Sequence, residues 1–168
     1  MRKFVTGWLC LLLLLLSVRA DAAGFGIYEW SARGNALGGA MVGRADDPST
    51  IAYNPAGMVQ LEGTQFMAGF TAISPTVDME GFNLPIGWDS SASTLSATWF
   101  PPHIYYTRQV NENHWFGVGL FTRFGLGTEF DPGWFGRYNS TNAEITSVSL
   151  NPSWAWKLND KVSVGVGI

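Results

Sequence analysis

The sequence predicts an all-β fold that forms part of a transmembrane antiparallel β-barrel, and three observations support this class. The N-terminus has the pattern of an export signal. The chain contains 14% aromatic but only 14% charged residues, whereas about a quarter of the residues in soluble domains are charged. Apolar and polar side chains alternate in several segments, which is the pattern of strands with one face toward lipid and the other toward a lumen.

Residues 1–22 form the predicted signal peptide. Basic residues precede an apolar run over residues 9–16, and Ala20 and Ala22 provide the small residues that a signal peptidase requires. The run is shorter than the roughly 20 residues of a membrane-spanning helix, so we expect cleavage after Ala22 rather than an anchor. The sequence contains 1 cysteine, Cys10, and its removal with the signal excludes disulfides and thiolate metal sites from the mature chain.

Five strands are predicted downstream of the signal, because apolar and polar residues alternate there with a period of two. They cover residues 64–73, 104–110, 115–124, 145–156 and 162–168. Short polar turns are predicted at residues 111–114 and 158–161, and long loops at residues 74–97 and 127–143. In bacterial barrels the short turns are periplasmic and the long loops extracellular. Such barrels have at least about 8 strands, so we expect a fragment or a truncated product of a longer barrel.

The strand predicted over residues 145–156 indicates which side chains face lipid. The lipid-facing set is Val148, Leu150, Trp154 and Trp156, and the lumen-facing set is Ser147, Ser149, Asn151 and Ser153. Two tryptophans beside a turn are typical of the aromatic girdle at a bilayer interface. Pro152 lacks a backbone N–H, so it predicts a bulge. In the last strand, the small residues Gly165 and Gly167 predict an open lumen.

Residues 23–58 do not alternate and form a separate predicted region before the barrel strands of residues 59–168. This region is rich in glycine and alanine. Asp46 and Asp47, followed by Pro48, predict a turn or the start of a helix. Asn54-Pro55-Ala56-Gly57 predicts a further turn. The composition allows either a plug inside the barrel lumen or a periplasmic segment.

An ordered set of short motifs resembles the FadL-type long-chain fatty acid transporter family. The motifs are Ala23-Gly24-Phe25, Ala45-Asp46-Asp47, Asn54-Pro55-Ala56, Phe124-Gly125-Leu126 and Thr128-Glu129-Phe130-Asp131. The resemblance covers the whole mature segment. It implies a barrel of about fourteen strands, within the even-numbered range of bacterial barrels, whose lumen is closed by an N-terminal hatch.

The resemblance also implies a function and a set of site residues. Hydrophobic ligands, either fatty acids or aromatic hydrocarbons, would be held in the lumen and released sideways into outer-membrane lipid. The implied hatch residues are Phe25, Asn54, Pro55 and Ala56. The implied kink and lateral gap of the third strand lie at Gly125, although this glycine equally fits a residue that merely opens the following loop. We expect a monomeric multi-pass protein of the Gram-negative outer membrane that needs no cofactor.

The sequence does not indicate an enzyme. His103, His114, Asp46 and Asp47 are the residues that catalysis would use, yet no serine, histidine and acid show the spacing of a hydrolase site. No metal site is predicted, and a formal net charge of −3 provides no basic footprint for nucleic acid. The alternative to a transporter is a general porin or an adhesion-type outer-membrane barrel, which would share the strands and girdles.

Overall fold

The computed structural model describes residues 24–83 and 88–168. The predicted signal peptide and its cleavage site lie outside the described residues. Within the described ranges, every helix is too short or too polar to cross a membrane.

The described chain begins with three short helical elements, all located before the first strand in what we call the N-terminal segment (residues 24–63). They are α1 (Ala32–Ala36), α2 (Thr50–Tyr53) and a 3₁₀ helix (Pro55–Gln60). Ser31 caps α1, since its Oγ accepts a hydrogen bond from the Gly34 N–H at 2.9 Å. Before α2, the Asp47 carboxylate accepts a hydrogen bond from the Ser49 N–H at 2.8 Å. The turn or helix start predicted here is thereby confirmed, with Asp47 and not Asp46 bonding to the backbone before the helix.

The strands are β1 (Thr64–Phe70), β2 (Asp78–Asn83), β3 (Trp88–Ser93), β4 (Pro102–Gln109), β5 (His114–Phe121), β6 (Gly125–Glu129), β7 (Asn142–Thr146), β8 (Ser149–Asn159) and β9 (Val162–Gly167). Five of them form an antiparallel sheet in the order β1-β4-β5-β8-β9. These five correspond to the five predicted strands. The short turns between β4 and β5 and between β8 and β9 lie at the same end of the sheet, because His114 pairs with Trp156.

The long connections at the opposite end differ from the prediction. The first contains the hairpin β2–β3, and the second is flanked by the paired strands β6 and β7. The strand predicted over residues 145–156 is therefore divided, since Ile145 belongs to β7 whereas β8 begins at Ser149. The strand predicted over residues 115–124 ends at Phe121. The alternation of apolar and polar residues continues across both interruptions. It depends only on which face of the sheet a residue occupies, and it carries no information about the partner strand.

The bulge predicted at Pro152 is wrong. Pro152 pairs with Val118 in regular register, and the irregularity of β8 lies between Lys157 and Asn159 instead. The Pro152 carbonyl accepts a hydrogen bond from the Ile168 N–H at 3.3 Å. In an extended residue the N–H and C=O point to the same side, so the missing N–H faces away from β5. No hydrogen bond between β5 and β8 is lost.

The two faces of the sheet confirm the predicted alternation. On the outer face, Val148, Leu150, Trp154 and Trp156 expose 59%, 66%, 42% and 47% of their surface. On the inner face, Asn151 and Ser153 are buried. His114 stacks on Trp156 with ring centroids 5.7 Å apart, and it accepts a hydrogen bond from Trp154 Nε1 at 3.2 Å. An aromatic cluster therefore lies beside the short turns.

The core lies between the inner face of the sheet and the N-terminal segment. Its buried members from the N-terminal segment are Trp30, Ile51, Ala52 and Met58, and those from the sheet are Tyr105, Trp115, Phe121 and Ala155. The open lumen predicted from Gly165 is wrong at this position. A Cβ added there would overlap the backbone of Ala56 and would lie 2.6 Å from the Pro55 carbonyl carbon. The small inward residue leaves room for the close approach of the N-terminal segment.

Candidate functional site

The sheet is interrupted at residues 122–124, which we call the break. Up to Phe121, β5 is paired on both sides, with His103 of β4 and with Ser149 of β8. After the break the chain resumes as β6 at Gly125, and β6 pairs with β7 alone among the described strands. Among the described strands, β6 therefore has no paired strand on the side where β5 pairs with β4. We call the sheet that continues on either side of the break the barrel wall. Unpaired backbone at such a position is unfavourable in lipid unless other protein covers it.

The start of the N-terminal segment covers the break. Gly26 forms an isolated antiparallel bridge with Phe124. The Ile27 N–H donates to the Arg123 carbonyl at 2.9 Å, and the Gly125 N–H donates to the Phe25 carbonyl at 3.2 Å. Residues 25–27, which we call the cover segment, therefore satisfy backbone groups that the interrupted strand leaves without a partner.

Gly125 lies directly under the cover segment and is buried. A Cβ at this position would lie 2.9 Å from Cγ2 of Thr122 and 3.5 Å from Cδ1 of Ile27. The tight neighbour is therefore the Thr122 side chain, whereas Ile27 of the cover segment lies at ordinary van der Waals distance. The prediction had placed Gly125 at the end of the alternation, and the structure places it immediately after the break as the first residue of β6.

A cavity of about 770 Å³ lies on one side of this junction. Its lining is mainly apolar and includes Tyr28, Trp30, Val42, Tyr53 and Arg123. The Arg123 guanidinium lies 5.1 Å from the centroid of the Trp30 ring, which is a cation–π contact. Trp30 is itself fixed, because its Nε1 donates to the Thr122 carbonyl at 2.9 Å. Burial raises the pKa of the Tyr53 hydroxyl.

A second cavity, of about 220 Å³, lies on the other side of the cover segment. Its apolar lining residues include Phe25, Val77, Leu95, Trp99 and Leu126. Phe25 has a φ of 59°, a left-handed conformation that residues other than glycine rarely adopt. Each cavity is lined by residues from the cover segment or its neighbour Tyr28, and by residues that adjoin the break.

The Asn54-Pro55-Ala56 turn makes a different set of contacts. Asn54 Nδ2 donates to the Val42 carbonyl at 2.9 Å, and Pro55 is the first residue of the 3₁₀ helix. The Ala56 carbonyl accepts a hydrogen bond from Ser163 Oγ of β9 at 3.2 Å. The predicted hatch residues therefore divide into three groups. Phe25 contacts the break, Pro55 and Ala56 lie against β9, and Asn54 bonds within the N-terminal segment.

The residues weighed for catalysis are dispersed. His103 is buried on the inner face beside Tyr105, with ring centroids 6.1 Å apart, whereas His114 belongs to the outer aromatic cluster. Asp46 forms ion pairs with Arg33 at 2.7 Å and with Arg44 at 2.8 Å. The Arg44 guanidinium, supported by Arg33, holds the pKa of the Asp46 carboxyl below its usual range. These residues form no common site.

Residues 13–168 match the family model of the outer membrane protein transport proteins (OMPP1/FadL/TodX). The chain belongs to this family. It is 30% identical over 167 residues to the long-chain fatty acid transport protein of Escherichia coli strain K12, a match that covers 98% of this chain and 37% of that relative. Outer membrane protein P1 of Haemophilus influenzae strain Rd is 28% identical over 185 residues, which cover 100% of this chain and 40% of P1.

The crystal structure of a Pseudomonas aeruginosa FadL homologue has the same fold, with a TM-score of 0.59 at 21% identity. That similarity covers 86% of this chain and 37% of the homologue. The FadL-type chain thus spans a little over a third of the length of these relatives. It contributes the N-terminal segment and the first strands of a transmembrane β-barrel, and its location is the Gram-negative outer membrane. The predicted family, fold class and location are confirmed.

Sequence reasoning missed two residues that shape this site, Arg123 and Trp30, and it missed the partner of a third, Gly165. Arg123 was not singled out, although a lone cation between Phe121 and Phe124 is unusual in a chain with so few charges. Trp30 has no alternating pattern around it that would mark it as core. Gly165 was interpreted correctly as inward, but its close partner is more than 100 residues away in sequence, so no local pattern could reveal it.

Proposed function

We propose that this chain forms the N-terminal part of an outer-membrane transporter for hydrophobic compounds, above all long-chain fatty acids. In this proposal the ligand is held in the barrel lumen, next to a hatch formed by residues 23–58. It leaves sideways into outer-membrane lipid through a gap at the break, where Gly125 lies. The complete protein acts as a monomer and as a transporter rather than an enzyme, without a cofactor.

The observation that carries this proposal is the way the break is covered. A continuous strand would seal the wall with a ladder of hydrogen bonds to β4. At the break, the hydrogen bonds that Ile27 donates and Phe25 accepts take the place of that ladder. A cover held by so few backbone hydrogen bonds is separable from the wall at a free energy that ligand binding can supply, since each hydrogen bond contributes only about 0.5–1.5 kcal/mol net.

The surroundings of the break suit an apolar ligand. Both cavities beside the cover segment have mainly apolar linings, and each includes aromatic side chains. Apolar concave sites with few polar groups are typical of small-molecule binding. Fatty acids and aromatic hydrocarbons both fit this chemistry. The relative from Escherichia coli is named for long-chain fatty acids, which favours that class and favours a transporter over a general porin or adhesion barrel.

The proposal is tested by locking the cover segment to the break with a disulfide. The hydrogen bonds on either side of Gly26 and Phe124 make this a non-hydrogen-bonded antiparallel pair, in which Cα atoms are about 4.5 Å apart, within the range that a disulfide bridges. We expect the double variant Gly26→Cys/Phe124→Cys of the full-length protein to form the disulfide in the oxidising periplasm. Oleate uptake by cells should then fall at least about tenfold and recover after reduction.

A matched control places a disulfide between two strands that the proposal does not require to separate. Ala68 of β1 and Ile104 of β4 are paired on the outer face of the continuous wall, so the double variant Ala68→Cys/Ile104→Cys should leave uptake unchanged. Normal oleate uptake through an oxidised Gly26→Cys/Phe124→Cys variant would contradict sideways release at this gap. Growth on oleate with and without the gene tests the substrate class separately.

A further inference from the structure

Arg123 is a half-buried cation in an apolar environment. Its guanidinium lies 5.1 Å from the Trp30 ring centroid and 4.8 Å from the Phe121 ring centroid. These aromatic faces stabilise the cation without neutralising it. Its backbone carbonyl accepts the hydrogen bond from the Ile27 N–H, so the residue is held at the junction of the break and the cover segment.

No carboxylate of the described chain neutralises this guanidinium. The ion pairs between described residues are Arg33 with Asp46, Arg44 with Asp46, and Lys157 with Asp160. Glu29, the other charged residue that lines the cavity, accepts a hydrogen bond from the Tyr28 N–H at 2.8 Å through its Oε2 atom. It lies beyond ion-pair distance of Arg123.

Arg123 lies where the charged headgroup of an amphipathic ligand in the cavity would bind. Arg123 lines the 770 Å³ cavity together with Trp30, Val42, Ala52 and Tyr53. A partly desolvated charge without a counter-ion is unfavourable, and an anion that enters the cavity would relieve that cost. A guanidinium offers paired N–H donors that match the two oxygens of a carboxylate.

We infer that Arg123 selects carboxylate ligands in this cavity. The carboxylate of a fatty acid pairs with the guanidinium, and its hydrocarbon chain lies along the apolar wall formed by Trp30, Val42 and Tyr53. This inference rests on the proposed function and narrows it, because it assigns the protein to fatty acids rather than to uncharged aromatic hydrocarbons. It also places the headgroup of the bound ligand beside the break, next to the gap proposed for release.

The experiment compares two ligands that share a hydrocarbon chain and differ in charge, oleate and methyl oleate. Their binding is measured by equilibrium dialysis with full-length protein in lipid nanodiscs. The variant is Arg123→Met, which keeps an extended side chain against Trp30 and removes the charge. The control is Arg137→Met, because Arg137 also stacks on an aromatic ring, that of Tyr138 at 4.5 Å, but on an exposed loop.

We expect Arg123→Met to weaken oleate binding about 10- to 100-fold, the range that corresponds to loss of a hydrogen bond to a charged group. Methyl oleate binding should stay unchanged, and Arg123→Lys should retain part of the oleate affinity. The Arg137→Met control should bind both ligands like the wild type.

Equal weakening of both ligands by Arg123→Met would overturn the inference, since it would show that the side chain only packs against Trp30. Unchanged oleate binding by a correctly folded Arg123→Met variant would overturn it as well. Both results leave the proposed function intact. A wild-type protein that binds neither ligand would instead overturn the proposed function itself, so the two failures are distinguishable.

Discussion

The N-terminal segment contacts the barrel wall at two regions that are built differently. At the anchor, which comprises the 3₁₀ helix and its contacts with β5 and β9, backbone and side chains interlock closely. Trp115 Nε1 donates to the Leu61 carbonyl at 2.7 Å, and the backbone of Ala56 lies directly against Gly165. At the break, the cover segment is held by backbone hydrogen bonds and by the side chain of Ile27, which is 1% exposed.

This difference indicates that the two regions of the N-terminal segment have different roles. Interlocked packing leaves no low-energy way for the anchor to move, because protein interiors have few voids and transmit strain. A three-residue extended segment with a single buried side chain, Ile27, opens at a lower free energy than a packed core. The anchor therefore fixes the N-terminal segment against the inner face of the sheet, whereas the cover segment is the part suited to move.

The largest expected effect is at the anchor, in the variant Gly165→Val. The new side chain would meet the backbone of Pro55 and Ala56, which cannot rotate away as a flexible side chain does. We expect a loss of about 3 kcal/mol or more of unfolding free energy, at the upper end of overpacking costs. Urea unfolding of full-length protein in lipid vesicles measures it. Val166→Leu, an exposed residue of the same strand, should change stability by less than about 1 kcal/mol.

An intermediate effect is expected for Trp115→Phe, which keeps most of the buried ring and removes the indole donor. The Leu61 carbonyl, in a residue that is 3% exposed, would lose its partner. Leaving a buried acceptor unsatisfied costs about 1–3 kcal/mol. The same urea titration should show this loss, and Trp156→Phe on the outer face should show less. Equal losses in both variants would contradict a specific anchoring role for Trp115.

A smaller effect on stability but a clear effect on uptake is expected for Gly125→Val. The added atoms meet the side chains of Thr122 and Ile27, which yield more easily than backbone, so the stability cost should be about 1 kcal/mol. We expect oleate uptake to fall because the cover segment no longer seats on the break. Gly43→Ala, where an added Cβ meets nothing within 4 Å, is the control. Undiminished uptake by folded Gly125→Val protein would leave Gly125 only the role of opening the following loop.

The smallest effect is expected for Asp46→Asn, which removes an exposed ion-paired carboxylate from the N-terminal segment. Arg44 lowers the pKa of Asp46 in the folded protein. The contribution of the Asp46 carboxylate to the free energy of unfolding is therefore complete above the unfolded-state pKa. It is lost as the pH falls through the lowered folded-state pKa. The urea midpoint of the wild type should therefore approach that of Asp46→Asn only in strong acid. A difference in urea midpoint between the wild type and Asp46→Asn that does not change with pH would exclude this electrostatic origin.

The sequence by itself determined the five strands of the main sheet and the two faces of β8. Alternation of Val148, Leu150, Trp154 and Trp156 with small polar residues depends only on the period of a strand, and it requires no knowledge of the partner strand. The short turns at residues 111–114 and 158–161 depend on local turn chemistry. The ordered motifs from Ala23 to Asp131 are sufficient to indicate the family.

Only the tertiary structure decided which strands and segments meet. The end of β5 at Phe121, the transfer of Gly125 to a pair with β7, and the bridge from Gly26 to Phe124 are contacts between distant parts of the chain. The packing of Gly165 against Ala56 and of Arg123 beside Trp30 also joins distant parts of the chain. Local patterns carry no information about such pairs, because the free energy that selects them arises from packing and backbone hydrogen bonding across the assembled wall.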